Sequence, residues 1–174
     1  MDKRGFTLIE IVVAMGIFSL LISSLSSIFV QVLRSQKKTL AAQEILGQTS
    51  YVLEYMSRAL RMAKKDIDGV CITAKLNYQK TYSGQGIKFL NYNNICQEFY
   101  LEAGRLKENK NSNILPLTSA SLNVSAFNIG PDDSWDQNDD EQPKVPLFFE
   151  VEGRESSKIK IQTTVSQRNL DIER

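Results

Sequence analysis

The sequence predicts an α+β protein: one long N-terminal helix, with a first half suited to a membrane, packed on a C-terminal antiparallel sheet. Three observations carry this. No charged residue lies between Ile11 and Val30. Apolar residues then recur at three- and four-residue spacing to about Ile67, with no proline before Pro116. Beyond Ile67 the period shortens to two, in alternating runs separated by turn residues.

The first element is the apolar one. Apart from Glu10, no charge interrupts Phe6 to Leu33. As a helix this stretch extends about 42 Å at 1.5 Å per residue, enough to cross a bilayer core. Apolar side chains fall on every side of it, as a span requires. The serine cluster Ser23, Ser24, Ser26 and Ser27 fits close helix neighbours in a membrane. Lys3 and Arg4 precede the run, while Arg34, Lys37 and Lys38 follow it, so the positive-inside rule is close to a tie. A secretory signal peptide is the competing reading, with Ser24-Leu25-Ser26 as a cleavage site, but the apolar run continues past that site.

Glu10 is the exception to be explained. Thr7-Leu8-Ile9-Glu10 fits T-x-x-E, a capping box for free N–H groups at a helix start. A second reading has the carboxylate snorkel to the membrane interface. A third pairs it with an α-amino group created by cleavage before Phe6, which lies one helical turn away.

The run KRG-FTLIE fused to a long apolar helix resembles the N-terminus of type IV prepilins and type II secretion pseudopilins. The resemblance covers roughly Lys3 to Leu33 and implies a pilin-like fold. It also implies a leader of residues 1–5 cut after Gly5 by a membrane aspartyl prepilin peptidase, and N-methylation of Phe6 by the same enzyme. Thr7 and Glu10 would then serve assembly, with Glu10 meeting the terminal amine of a neighbouring subunit. A carboxylate at membrane depth costs about 2.5–3.5 kcal/mol on insertion scales, which an adjacent ammonium offsets only in the correct register. Many major pilins carry a proline in the middle of this helix. Here there is none, and Gly16 is the only soft point. Partners implied by the family are the peptidase, other pilins or pseudopilins, membrane lipid, and an inner-membrane assembly platform with its ATPase.

The helix should continue amphipathically over 34–67. Leu46, Thr49, Leu53, Met56, Leu60, Ala63 and Ile67 form the docking stripe, with Val52 and Ala59 beside it. Tyr51, Tyr55 and Met62 form a second stripe, suited either to a filament core or to a solvated face. Tyr51 to Lys65 is also similar to the equivalent helix of minor pilins and pseudopilins of the J and W types, which implies a low-copy subunit.

Residues 68–174 read as a β-rich, extracytoplasmic domain. Strands are expected at 85–92, 96–101, 105–108, 121–129, 145–151 and 158–166, with hairpin turns at Ala103-Gly104 and at Gly153. In the last, Ile159, Ile161, Thr163 and Val165 share one face. Cys71 and Cys96 are a possible disulfide outside the cytoplasm, closing a loop of about 25 residues worth roughly 3 kcal/mol; two buried thiols are the alternative.

The proline-bounded loop with Asp132, Asp133, Asp136, Asp139 and Asp140 offers hard oxygen ligands of the kind calcium takes, without EF-hand spacing. Solvated charge is its other reading. Trp135 either anchors this loop or faces a partner.

Composition narrows the function classes. Net charge is +1, which gives no bulk case for nucleic acid. The chain has no histidine, so the commonest general base and the favoured zinc ligand are missing. No phosphate loop or nucleophile–base pair stands out, so the expectation is no enzyme and no required cofactor. The sequence therefore points to a minor pilin or pseudopilin subunit that assembles into, or initiates, a filament. The alternative is a single-pass anchored ectodomain that binds a ligand or surface without assembling.

Overall fold

The computed structural model describes residues 5, 7–135 and 142–168. The chain divides into two compact units, Met1–Leu40 and Ala41–Arg174. Helix α1 is continuous over Leu8–Arg61, without interruption at Gly16, so it supplies the described core of the first unit and the opening element of the second.

Among the described residues of the second unit, α1 is followed by eight strands: β1 (Gln79–Thr81), β2 (Gly86–Leu90), β3 (Cys96–Glu102), β4 (Arg105–Lys110), β5 (Asn113–Pro116), β6 (Asn123–Ile129), β7 (Lys144–Glu152) and β8 (Lys158–Ser166). All pairings between them are antiparallel. They form two sheets rather than one, a five-stranded meander β1-β2-β3-β4-β5 and a three-stranded meander β6-β7-β8. The α+β arrangement, one long helix followed by antiparallel sheets, is as the sequence predicts.

One core joins the helix to both sheets. Ile45, Val52, Met56 and Leu60 from α1 meet Ile87, Phe89 and Phe99 from the larger sheet and Phe127, Leu147 and Phe149 from the smaller. The buried stripe keeps Thr49, Met56, Leu60 and Ala63 of the expected one and departs from it at three positions, Leu46, Leu53 and Ile67. Ile45 is fully buried where Leu46 was expected, and Leu46 is 51% exposed. Thr49, Val52, Met56 and Leu60 are buried, but Leu53 only flanks the core.

The helix also ends earlier than the pattern suggests, at Arg61 rather than near Ile67, which is exposed. Its end is held by distant partners that supply the donors the last carbonyls lack. Tyr78 Oη donates to the Leu60 carbonyl at 2.7 Å, and the Arg168 amide to the Arg61 carbonyl at 2.8 Å. Just beyond, Gln167 Nε2 donates to the Ala63 carbonyl at 2.8 Å, and the Lys64 amide to the Leu90 carbonyl at 2.8 Å. The chain thus leaves the helix to join the strands.

In the β7–β8 turn the left-handed residues are Glu155 and Ser156, whereas Gly153 has φ −126°. Ala103 (φ 51°) and Gly104 (φ 71°) both lie in the left-handed region, matching the twist of β3 and β4. Tyr55 does not belong to a free second stripe. Its ring packs edge-on against Phe99 at 6.1 Å, and its hydroxyl donates to Glu108 Oε1 at 2.8 Å. Burial first, and then the Glu108 carboxylate, push the Tyr55 hydroxyl up to about 12. Gln97 Nε2 also donates to Glu108 Oε1, at 2.6 Å, and Gln97 Oε1 accepts from Asn91 Nδ2 at 3.0 Å. This buried chain is satisfied along its length, as buried polar groups must be.

Candidate functional site

The candidate site is the start of α1. Thr7 sits just before the first helical residue, and its Oγ1 accepts the Glu10 amide at 3.4 Å. The Thr7 carbonyl takes the Glu10 amide at 3.1 Å and the Ile11 amide at 3.3 Å. The hydroxyl half of the capping box is therefore formed, and Glu10 is the acid of the first turn, where the helix dipole favours negative charge. Gly5 is exposed, and nothing lies within 4 Å of where its Cβ would be. Phe6 lies outside the described residues.

Around Glu10 the surface is apolar. Ile11, Ala14, Met15 and Phe18 line the concavity it borders. Leu8 is 81% exposed and Leu20 is 74% exposed, and every described residue up to Leu40 is exposed. A monomer in water rarely leaves so large an apolar surface bare; lipid or protein must cover it. The helix is long and apolar enough to cross a membrane.

The serines do not spoil this. Ser19 Oγ donates to the Met15 carbonyl, Ser23 to Ser19, Ser24 to Leu21, Ser26 to Ile22 and Ser27 to Ser24, all at 2.8–2.9 Å. Each hydroxyl is paired within its own helix, so none needs water at membrane depth. Any serine within a helix can reach the carbonyl three or four residues back, so the helical pattern itself was the signal for this.

The remaining candidate residues lie in the second unit. Cys71 and Cys96 are joined by a disulfide with Cα atoms 5.3 Å apart. Asp66, which the pattern of the sequence had not marked, anchors the loop before it. Its carboxylate accepts the Val70 amide at 3.0 Å, the Cys71 amide at 2.6 Å and the Ile72 amide at 2.9 Å. Burial pushes this carboxyl up, but the backbone donors outweigh burial and hold it below its ordinary value. Its signal was an aspartate just ahead of the left-handed Gly69.

In the acidic loop, Asp132 pairs with Lys80 at 3.1 Å. Asp133 is exposed, and Asp136, Asp139 and Asp140 lie outside the described residues. Among the described residues, no cluster of three or more His, Cys, Asp or Glu side chains is placed to hold a metal. Trp135 is buried against Tyr78, with ring centroids 5.4 Å apart, and its Nε1 donates to the Lys144 carbonyl at 2.7 Å. It anchors the loop.

Residues 1–26 match the family model for the prokaryotic N-terminal methylation motif. No curated protein and no solved structure matches the chain. The motif implies processing by prepilin peptidase and association with other pilins, and it suggests a structural subunit rather than an enzyme. Together, the motif over residues 1–26 and the apolar helix that begins inside it support a type IV prepilin-like protein anchored in the membrane by a single pass.

Proposed function

We propose that this chain is a minor pilin or pseudopilin, cut after Gly5, methylated at Phe6, and packed through α1 into a filament or its initiating tip. The observation that carries the reading is Glu10, a first-turn carboxylate on a capped helix whose surroundings are apolar. A charge in that setting costs free energy unless a cation meets it, and cleavage before Phe6 would create one a helical turn away. Pairing with the amine of an adjacent subunit sets the register of helix on helix.

In this reading the disulfide-closed second unit lies outside the cytoplasm, where oxidation persists. The inner-membrane platform and its ATPase drive assembly. Exposed Tyr51 and the Glu54–Arg58 ion pair remain on the α1 surface for neighbouring subunits.

The test is a pair of variants expressed with the assembly machinery. Gly5→Ala leaves an inserted but uncut precursor. Glu10→Leu is cut normally, yet its recovery in sheared filaments falls at least tenfold. Wild-type recovery of Glu10→Leu contradicts the proposal.

A further inference from the structure

The larger sheet carries one cross-strand row of register partners: Lys88 on β2, Glu98 on β3, Asn109 on β4 and Ile114 on β5. The core residues Ile87, Phe89 and Phe99 alternate with this row along their strands, so the row belongs to the face turned away from the core.

Two members of the row are buried acceptors without a donor. Glu98 is 9% exposed, and among the described residues no hydrogen bond or ion pair reaches its carboxylate, not even from its register partner Lys88. Asn109 Oδ1 is buried and accepts no hydrogen bond among the described residues. Both residues line a concavity of about 200 Å³ that Lys88, Asn111 and Ser112 help to enclose. A buried acceptor without a donor costs free energy, and a charged one costs most. The missing donors must reach the pair through this concavity.

The chemistry of such a donor is narrow. A carboxylate beside a carbonyl oxygen repels an anion. Calcium takes about six to eight oxygen ligands, and this concavity offers one carboxylate. A volume of about 200 Å³ lies below the roughly 300–1,000 Å³ of a drug-sized ligand site and suits a single side chain. An ammonium is a compact, strongly hydrated point charge. A guanidinium is planar and weakly hydrated, and its fork of donors can span acceptors on two adjacent strands. At the β5 end of the row Ile114 is 52% exposed, an apolar lip for the aliphatic stem of an arginine.

We infer that Glu98 and Asn109 receive the guanidinium of an arginine on a partner protein, entering over Ile114. Glu98 supplies the counter-charge, Asn109 Oδ1 accepts a second N–H, and Lys88 bounds the far end. The contact requires neither cleavage after Gly5 nor filament assembly.

Titration of the isotope-labelled full chain in phosphocholine micelles, followed by backbone amide shifts, tests this. The probes are blocked tripeptides with arginine, lysine or citrulline between two glycines; citrulline is the neutral isostere of arginine. The arginine peptide should give saturable shifts at Glu98 and Asn109 and bind at least tenfold more tightly than the citrulline peptide. Glu98→Gln, which keeps the shape and removes the charge, should weaken its binding at least tenfold. Lys88→Met, which removes a like charge, should not weaken it. Absence of saturable shifts at these residues overturns the inference. So does equal binding of the lysine or citrulline peptide, undiminished binding to Glu98→Gln, or loss of binding in Lys88→Met.

Discussion

The Asp66 carboxylate accepts the backbone N–H of Cys71 at 2.6 Å, so a buried charge fixes the half of the disulfide nearest the helix. Asp66 is 1% exposed, and its carboxyl is held below its ordinary value because backbone donors outweigh the burial that raises it. A folded-state value below the unfolded one contributes stability above the unfolded carboxyl range, about pH 4, and that stability is lost as pH falls through the folded value. Asp66→Asn should cost about 2 kcal/mol at neutral pH. It should also flatten the loss of thermal stability on acidification below about pH 4, followed by Trp135 fluorescence. An unchanged acid limb would show that the carboxylate is not the group being titrated.

The disulfide itself closes a separation of 25 residues. Replacing both cysteines by serine should lower stability by roughly 3 kcal/mol, measured by urea unfolding of the full chain in micelles. Reduction of the wild type should give the same loss, and Asp66 should then be the principal remaining restraint on the loop.

Gly153 packs directly against Ile45 on the buried face of α1. A Cβ on Gly153 would come within 2.5 Å of Ile45 Cδ1, and Ile45 is wholly buried. The φ of Gly153 is −126°, so any cost arises from packing rather than from backbone strain. Gly153→Ala should destabilise the protein by about 1–3 kcal/mol, the cost of overfilling a packed core. Gly153→Ala/Ile45→Val, which returns volume at the same point, should recover part of it in the same denaturation assay.

Glu108 bears on the join between helix and sheet. Glu108→Ala removes the acceptor for both Tyr55 and Gln97, leaving a buried carboxamide short of a partner. The expected cost is about 2–3 kcal/mol, against about 1 kcal/mol for Tyr55→Phe, which leaves Gln97 paired to the carboxylate. Equal losses from the two variants would show that the chain is not coupled through Glu108.

These positions also mark where the sequence was legible. β8 was readable to the residue, because Ile159, Ile161, Thr163 and Val165 alternate against polar neighbours along an edge with one covered face. The β3–β4 turn was readable because Gly104 suits one of the two left-handed positions the hairpin demands, while Ala103 takes the other against its own preference. β1, with three half-buried residues, and β5, with four exposed ones, carry no alternation to read.

The buried face of α1 was legible at Thr49, Met56, Leu60 and Ala63, but Ile45 and Val52 turn inward in place of Leu46 and Leu53, because 3–4 spacing admits either neighbour. Ile45 packs against Gly153, far away in sequence, a contact that local spacing does not show. The helix end at Arg61 was equally invisible, since its carbonyls are satisfied by Tyr78 and Arg168 rather than by a local stop signal. The cap at the start of α1 was legible because Thr7 and Glu10 lie within one short run. Asp66 was not, because its role depends on where the following loop returns.

The central claim is that Glu10 is matched by a new terminal nitrogen, and the mass of the mature chain tests it most directly. Intact-mass and N-terminal peptide spectrometry of protein extracted from its native membrane should give a chain beginning at Phe6 and carrying one added methyl group. A functional chain that retains residues 1–5, or one that begins beyond Ser26, would contradict the account.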